Sequence, residues 1–125
     1  MVKKILVVDD EKRIVDLLYK LLSKEGFKVF TATDGESCLR IARQEAPDLI
    51  VLDVMMPGMD GGDIMSNLQE DEKTKNIPVI FLTGAVTKEE VAKSDGEIAG
   101  RLFISKFSDS NELISKIKKV LGIST

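Results

Sequence analysis

The stretch from Pro47 to Gly61, PDLIVLDVMMPGMDG, constrains the fold more than any other part of the chain. Its apolar run from Leu49 to Leu52 ends on one carboxylate, Asp53, and a turn rich in proline and glycine follows. Strands that are buried on both faces read as continuous aliphatic runs and are typical of parallel sheets. Ligands of open parallel sheets bind beside the carboxyl ends of the strands. The stretch therefore predicts a central parallel strand that places Asp53 where a ligand would bind.

Apolar strands and amphipathic helices alternate along the chain. Such βα repeats require a parallel sheet with helices on both faces and right-handed crossovers. We predict a doubly wound, flavodoxin-like α/β fold, (βα)5 with strand order 2-1-3-4-5, as a single domain over residues 1–125. The predicted strands are Lys4 to Val8, Phe27 to Thr33, Asp48 to Asp53, Pro78 to Thr83 and Leu102 to Ser105. The predicted helices run from after Asp10 to Gly26, from Gly35 to Glu45, from Gly62 to Asp71, from Thr87 to Lys93 (a short one) and from Asp109 to Leu121.

Two residue counts exclude several kinds of chemistry. The chain contains no histidine, which excludes Ser-His and Cys-His catalysis, histidine metal ligands and a phosphohistidine on this chain. Its one cysteine, Cys38, excludes an internal disulfide and a cysteine-based zinc site. Because Cys38 falls within an amphipathic helical pattern, we expect it to be a small core residue.

Charge and hydropathy narrow the range of partners. A net charge of −3 with scattered Lys and Arg argues against direct binding of nucleic acid, since phosphate backbones need clustered basic residues. No apolar run reaches the length of a membrane span, and the first ten residues, MVKKILVVDD, turn acidic too soon for a signal peptide. We therefore expect no membrane partner and a cytoplasmic location.

Acidic residues follow two strands whose ends the predicted order brings together. Asp9 and Asp10 follow the first strand, and Asp53 ends the third, beside the crevice where the chain reverses direction. Like charges a few ångströms apart take up protons or need a cation between them, and Mg²⁺ prefers oxygen ligands. We therefore predict a magnesium site of Asp9, Asp10 and Asp53, to which the main-chain carbonyl of Met55 could add an oxygen. Taken alone, Asp10 fits the N-cap of the first helix equally well.

The next two strands bring a hydroxyl and an amine to the same edge of the sheet. Thr83 ends the fourth strand, and Lys106 follows the fifth. An aspartate can attack phosphorus while a metal ion, an amine and a hydroxyl absorb the charge of the transferring phosphoryl group. Taken singly, Thr83 fits an ordinary strand end and Lys106 a solvated charge, so their alignment is what favours phosphoryl transfer to Asp53.

Four separated landmarks closely resemble the receiver domain of two-component response regulators. They are Asp9-Asp10, the run DVMMPGMDG from Asp53, Thr83-Gly84, and Lys106, and the resemblance spans essentially the whole chain. It implies that Asp53 accepts a phosphoryl group from a phosphohistidine on a histidine kinase or phosphotransfer protein. It also implies that Asp9, Asp10, Asp53 and the Met55 carbonyl serve Mg²⁺, that Lys106 pairs with Asp53 and then with the phosphate, and that Thr83 and Phe103 act as the switch.

The resemblance further implies a signalling module and not an enzyme with an external substrate. We expect a stand-alone receiver that catalyses only its own phosphorylation and dephosphorylation, as a monomer or weak homodimer. Its downstream protein partner would bind the surface formed by the fourth helix, the fifth strand and the final helix.

One departure from the family pattern leaves alternatives open. The family usually has proline after its lysine, in a cis peptide, whereas this chain has Phe107. A cis bond before a non-proline residue costs about 3–4 kcal/mol, so we predict a trans bond between Lys106 and Phe107. Phe107 favours a degenerate receiver that binds partners without phosphorylation. A second alternative is a magnesium-dependent phosphohydrolase with an aspartyl nucleophile, against which Met55 and the short chain argue, because such enzymes carry a second Asp at that position and a cap domain.

Overall fold

Six strands form one sheet in the part of the chain that the structure describes. This computed structural model describes residues 2–54, 56, 58–83, 97–98, 101–105 and 110–123, and at 97–98 and 101–103 it describes the backbone alone. The strands are Lys4–Val8 (β1), Lys28–Ala32 (β2), Leu49–Asp53 (β3), Val79–Thr83 (β4), Glu97–Ile98 (β5) and Arg101–Ser105 (β6). They lie in the order β2-β1-β3-β4-β6-β5.

The five longer strands are parallel and confirm the predicted order 2-1-3-4-5. The prediction missed β5, a two-residue strand that pairs antiparallel with β6 at the edge of the sheet. A strand so short carries no alternating pattern by which a sequence could reveal it. The predicted fourth helix, Thr87 to Lys93, and the Lys106-Phe107 peptide lie outside the described residues.

Four helices lie within the described residues: Lys12–Lys24 (α1), Gly35–Glu45 (α2), Gly61–Glu70 (α3) and Ser110–Leu121 (α4). Two begin with an aspartate whose carboxylate accepts a hydrogen bond from the first turn, as preferred N-cap residues do. Asp34 Oδ1 accepts from Ser37 N–H at 2.7 Å, and Asp60 Oδ1 accepts from Asp63 N–H at 3.0 Å. The N-cap of α1 is Glu11, so the alternative role of Asp10 as N-cap is wrong.

The core consists of two apolar clusters, one on each face of the sheet. All five residues of β3 are buried, as the continuous apolar run predicts. Side chains of α1 and α4 join the cluster on one face, and those of α2 and α3 join the other. Cys38 belongs to the second cluster and is fully buried, which confirms its predicted core position. Leu17 shares the apolar pattern of α1 but is 52% exposed.

None of the helices in the described ranges is long and apolar enough to cross a membrane.

Candidate functional site

Three carboxylates meet at the carboxyl ends of β1 and β3. One carboxylate oxygen from each of Asp9, Asp10 and Asp53 lies within 4.8 Å of the others. The strands that bring them together are neighbours, and Val8 is in register with Leu52. Asp9 and Asp53 are 0% and 2% exposed, whereas Asp10 is exposed. The structure therefore brings together the three acidic residues that the sequence predicts for a magnesium site.

Backbone hydrogen bonds fix the segments that carry the two buried carboxylates. Asp9 N–H donates to Ala32 O at 3.2 Å, and Asp9 Oδ1 accepts from Glu11 N–H at 2.9 Å. On the other side, the residue after Asp53 continues the ladder, since Val54 N–H donates to Leu82 O at 3.2 Å. Asp53 thus ends a paired strand and Asp9 directly follows one, so the sheet holds both aspartates in place.

The donor set fits a hard divalent cation. Three carboxylates this close repel one another unless a positive charge offsets them, and all their ligand atoms are oxygens. Mg²⁺ binds proteins through one or two carboxylates and keeps several waters. The two buried aspartates would form the protein side of such a site, while exposed Asp10 lies on its solvent side. Met55, predicted to add a carbonyl oxygen, lies outside the described residues.

A buried hydroxyl ends the neighbouring strand. Thr83 is the last residue of β4 and is 2% exposed, and its Cα is in register with that of Ser105, also 2% exposed. Asp53 is in register with Leu82, so Thr83 lies one position further along the same edge. The backbone of Phe103 pairs with Phe81. Lys106 lies outside the described residues, as does the side chain of Phe103.

One residue that touches this site, Gly61, was not predicted from the sequence pattern. Gly61, the first residue of α3, lies so close to the end of β3 that a Cβ there would be 3.0 Å from Val54 Cα. The only sequence signal is the dipeptide Asp60-Gly61 that closes the opening stretch. Such a dipeptide marks turns and helix starts in general and does not reveal a tertiary contact.

The acidic cluster lies at the switch point of a doubly wound α/β sheet, the place where proteins of this fold class bind their ligands. Comparison with known proteins narrows the class. The family model of the response regulator receiver domain matches residues 5–118. The alkaline phosphatase synthesis transcriptional regulatory protein PhoP of Bacillus subtilis (strain 168) is 41% identical over 122 residues, which are 97% of this chain and 49% of PhoP.

Solved structures agree with this match. The N-terminal domain of a response regulator receiver protein from Methanoculleus marisnigri JR1 is 34% identical with a TM-score of 0.72, and the alignment covers 99% of this chain and all of that one. Chemotaxis protein CheY4 of Vibrio cholerae is 26% identical with a TM-score of 0.82, over 96% of this chain and 99% of that one.

The chain belongs to the response regulator receiver domain family. Receiver domains of this family work in two-component systems and interact with histidine kinases or phosphotransfer proteins. The chain spans about half the length of its PhoP relative.

Proposed function

We propose that Asp53 accepts a phosphoryl group from a phosphohistidine on a histidine kinase or phosphotransfer protein, with Mg²⁺ at the acidic cluster. The observation that carries the proposal is the meeting of Asp9, Asp10 and Asp53 within 4.8 Å. A single carboxylate at a strand end has many uses. Three that converge beside a buried threonine form a site suited to a metal ion and a phosphoryl group.

The reaction forms one bond to phosphorus and breaks another. A carboxylate oxygen of Asp53 attacks phosphorus, and the bond between phosphorus and the histidine nitrogen breaks. The electron pair of that bond stays on the imidazole, and the product is an acyl phosphate on Asp53. Mg²⁺ bound by Asp9, Asp10 and Asp53 would supply positive charge to the phosphoryl oxygens.

The chain's own residues hold the reacting oxygen in place. Burial at the end of β3 restricts Asp53, and the hydrogen bond from Glu11 N–H orients the carboxylate of Asp9 beside it. The Thr83 hydroxyl would donate to a phosphoryl oxygen after the transfer, and Lys106 would pair with the phosphate. Because phosphorylation adds nearly two negative charges and several acceptors, these contacts would favour one of two packing arrangements.

The switch would reach a partner surface through the strands next to the site. Thr83 and Phe103 are diagonal neighbours in the register of β4 and β6, which supports a coupled movement of the two. The downstream protein would bind the surface of the predicted fourth helix, β6 and α4. We propose that phosphoryl transfer and partner binding take place in the cytoplasm and that the chain acts on no external substrate.

Action as a stand-alone receiver stays a prediction. The PhoP relative is about twice as long as this chain, and its name describes a transcriptional regulator.

Intact-mass analysis tests the proposal. The protein is incubated with acetyl phosphate and Mg²⁺, and wild type is compared with Asp53→Asn. We expect one phosphate adduct in wild type, removed by hydroxylamine as an acyl phosphate is, and none in Asp53→Asn. Asp16→Asn, which removes an exposed carboxylate of α1, is the matched control and should retain the adduct.

Other outcomes identify the alternatives. Absence of an adduct in wild type would indicate a degenerate receiver that binds partners without phosphorylation. Steady release of phosphate from added phosphate esters would indicate a phosphohydrolase.

A further inference from the structure

Gly61 packs so closely against the backbone at the end of β3 that a side chain there would crowd its neighbours. A Cβ built on Gly61 would lie 3.0 Å from Val54 Cα, 3.3 Å from Asp53 O and 3.3 Å from Phe81 Cε1. Ordinary van der Waals contacts of a Cβ begin at 3.4 Å. Any side chain at this position therefore pushes its neighbours apart by a few tenths of an ångström.

Two of these three neighbouring atoms are main-chain atoms at the proposed phosphoacceptor. The segment after Asp53 is held from both sides, because Val54 N–H donates to Leu82 O at 3.2 Å while Val54 O accepts from Gly61 N–H at 2.9 Å. The first bond ties the segment to β4, and the second ties it to α3. A displacement at Gly61 would therefore move main chain that carries Asp53.

The α3 helix cannot easily move away from β3. Its N-terminus is capped by Asp60, whose carboxylate accepts from Asp63 N–H at 3.0 Å. Its apolar side chains Ile64 and Leu68 are 0% and 2% exposed in the core cluster shared with α2. Since close-packed interiors transmit strain, part of any displacement at Gly61 would reach the end of β3.

We propose that Gly61 is a positioning residue for the acidic site. Its missing side chain lets α3 close onto the end of β3, and this contact sets where the Asp53 carboxylate lies relative to Asp9 and Asp10. This inference rests on the proposed function, because it assumes that the cluster binds Mg²⁺ and that Asp53 accepts phosphate.

Gly62 provides a matched control in the same helical turn. Among the described residues, a Cβ on Gly62 would crowd only the capping side-chain oxygen Asp60 Oδ1, at 3.3 Å, and no main-chain atom of β3, and Gly62 is exposed. Both variants replace a glycine of the first turn of α3 by alanine, and only Gly61 lies against β3, so a difference in Mg²⁺ affinity between them reports the contact with β3.

The experiment measures Mg²⁺ affinity by titration calorimetry for wild type, Gly61→Ala and Gly62→Ala. The rate of phosphorylation by acetyl phosphate at saturating Mg²⁺ and the urea midpoint without Mg²⁺ are measured on the same proteins. We expect Gly61→Ala to bind Mg²⁺ about tenfold more weakly, the size of effect seen when groups that orient metal ligands are changed. Gly62→Ala should bind as wild type does.

A variant on the other face of the sheet distinguishes a positioning role of Gly61 from a general loss of stability. Ile117 of α4 is fully buried, and Ile117→Val lowers stability without touching the acidic cluster. Under conditions where all variants are folded, Ile117→Val should keep the wild-type Mg²⁺ affinity. Equal affinity of Gly61→Ala and Gly62→Ala would overturn the inference.

A second variant keeps the inference testable if Gly61→Ala does not fold. Phe81→Leu removes the Cε1 atom that limits the space beside residue 61. The double variant Gly61→Ala/Phe81→Leu should bind Mg²⁺ more weakly than Phe81→Leu alone, and equal affinities would refute the role of Gly61. If wild type neither binds Mg²⁺ nor gains phosphate, the proposed function itself fails, which the wild-type measurements show directly.

Discussion

Asp9 and Asp53 are carboxylates buried beside each other and beside a third, Asp10. Burial removes the water that would otherwise screen their charges, so their repulsion opposes folding unless nearby positive charge offsets it. Such a site lowers the stability of the metal-free protein, and the same repulsion favours binding of a metal ion. Substituting one of these side chains should therefore change both the stability of the metal-free protein and its gain in stability from Mg²⁺.

Neutralising Asp10 should have opposite effects with and without Mg²⁺. In EDTA, Asp10→Asn removes one of three repelling charges and should raise the free energy of unfolding above that of wild type. At about 100 times its Kd, Mg²⁺ should stabilise wild type by about 2.7 kcal/mol, and the variant should gain less. Urea unfolding under both conditions measures this crossover. In the control Asp16→Asn, Mg²⁺ should stabilise as much as in wild type; an identical gain in Asp10→Asn would contradict its role as a ligand.

Cys38 should make the protein less stable at high pH. Burial raises the pKa of its thiol from the usual 9.0 to about 12. The thiol therefore ionises in the unfolded chain before it does in the folded one. The stabilisation is complete below pH 9 and is lost as pH rises toward 12, with a slope of up to about 1.4 kcal/mol per pH unit.

Urea unfolding of wild type and Cys38→Ala across that range measures the slope. The variant lacks the thiol, so its stability should fall less steeply with pH, and parallel profiles would refute the prediction. Below pH 9 a thiol reagent should label Cys38 only when the protein unfolds.

At the scale of elements, the starts of α2 and α3 follow from single capping residues. Asp34 and Asp60 each accept a hydrogen bond from an N–H three residues later, so each helix begins at the next residue. The α1 helix begins at Lys12 after the N-cap residue Glu11, whose side chain makes no capping hydrogen bond, although Asp9 Oδ1 accepts from Glu11 N–H. The aspartates before α1 thus lie at the acidic site and not at the helix cap.

The cap of α2 should depend on pH. Hydrogen bonds from the Ser37 backbone and side chain, with a contribution from Arg40, lower the pKa of Asp34 below its usual 3.8. A lowered folded pKa means that the stabilisation is present above pH 3.8 and is lost as pH falls through the folded value.

The thermal midpoints of wild type and Asp34→Ala should therefore converge on acidification. Asp34→Asn retains a capping oxygen that does not titrate, so its difference from Asp34→Ala should persist at low pH. A constant gap between wild type and Asp34→Ala would show that the carboxylate charge has no part in the cap.

At the scale of the molecule, one sheet separates two apolar clusters. Residues along β1 alternate between them, so that Ile5 joins one cluster and Leu6 the other, and the adjacent β3 does the same. Because β3 is buried on both faces, both helical layers must pack against it to exclude water.

Core truncations on opposite faces should add. Ile5 and Ile50 are fully buried in different clusters, and each Ile→Val change should cost about 0.5–1.5 kcal/mol. The double variant should lose the sum to within about 0.5 kcal/mol, since Ile5 and Ile50 pack into clusters on opposite faces of the sheet. Urea unfolding with an unchanged m-value measures this, and a large departure from the sum would mean that the two layers are coupled through the sheet.

The periodic elements could be predicted closely. The predicted limits of β1 and α2 agree with the structure residue for residue, and α3 differs by one residue at each end. These segments carry a strong local pattern, which is why their sequence suffices. Leu17 shows the limit of that pattern, because helical spacing places it beside the apolar stripe but only packing decides whether it is covered.

By itself, the sequence determined the parallel fold, the strand order and the acidic residues at the strand ends, because burial periodicity and the topology of βα repeats fix which ends meet. Only the tertiary structure decided that Asp9 and Asp53 are buried while Asp10 is exposed, that Glu11 is the N-cap of α1, and that Gly61 touches the end of β3. These features depend on the contacts between packed elements, which at Gly61 are set to within a few tenths of an ångström. No local pattern records such distances, since they result from how whole elements pack.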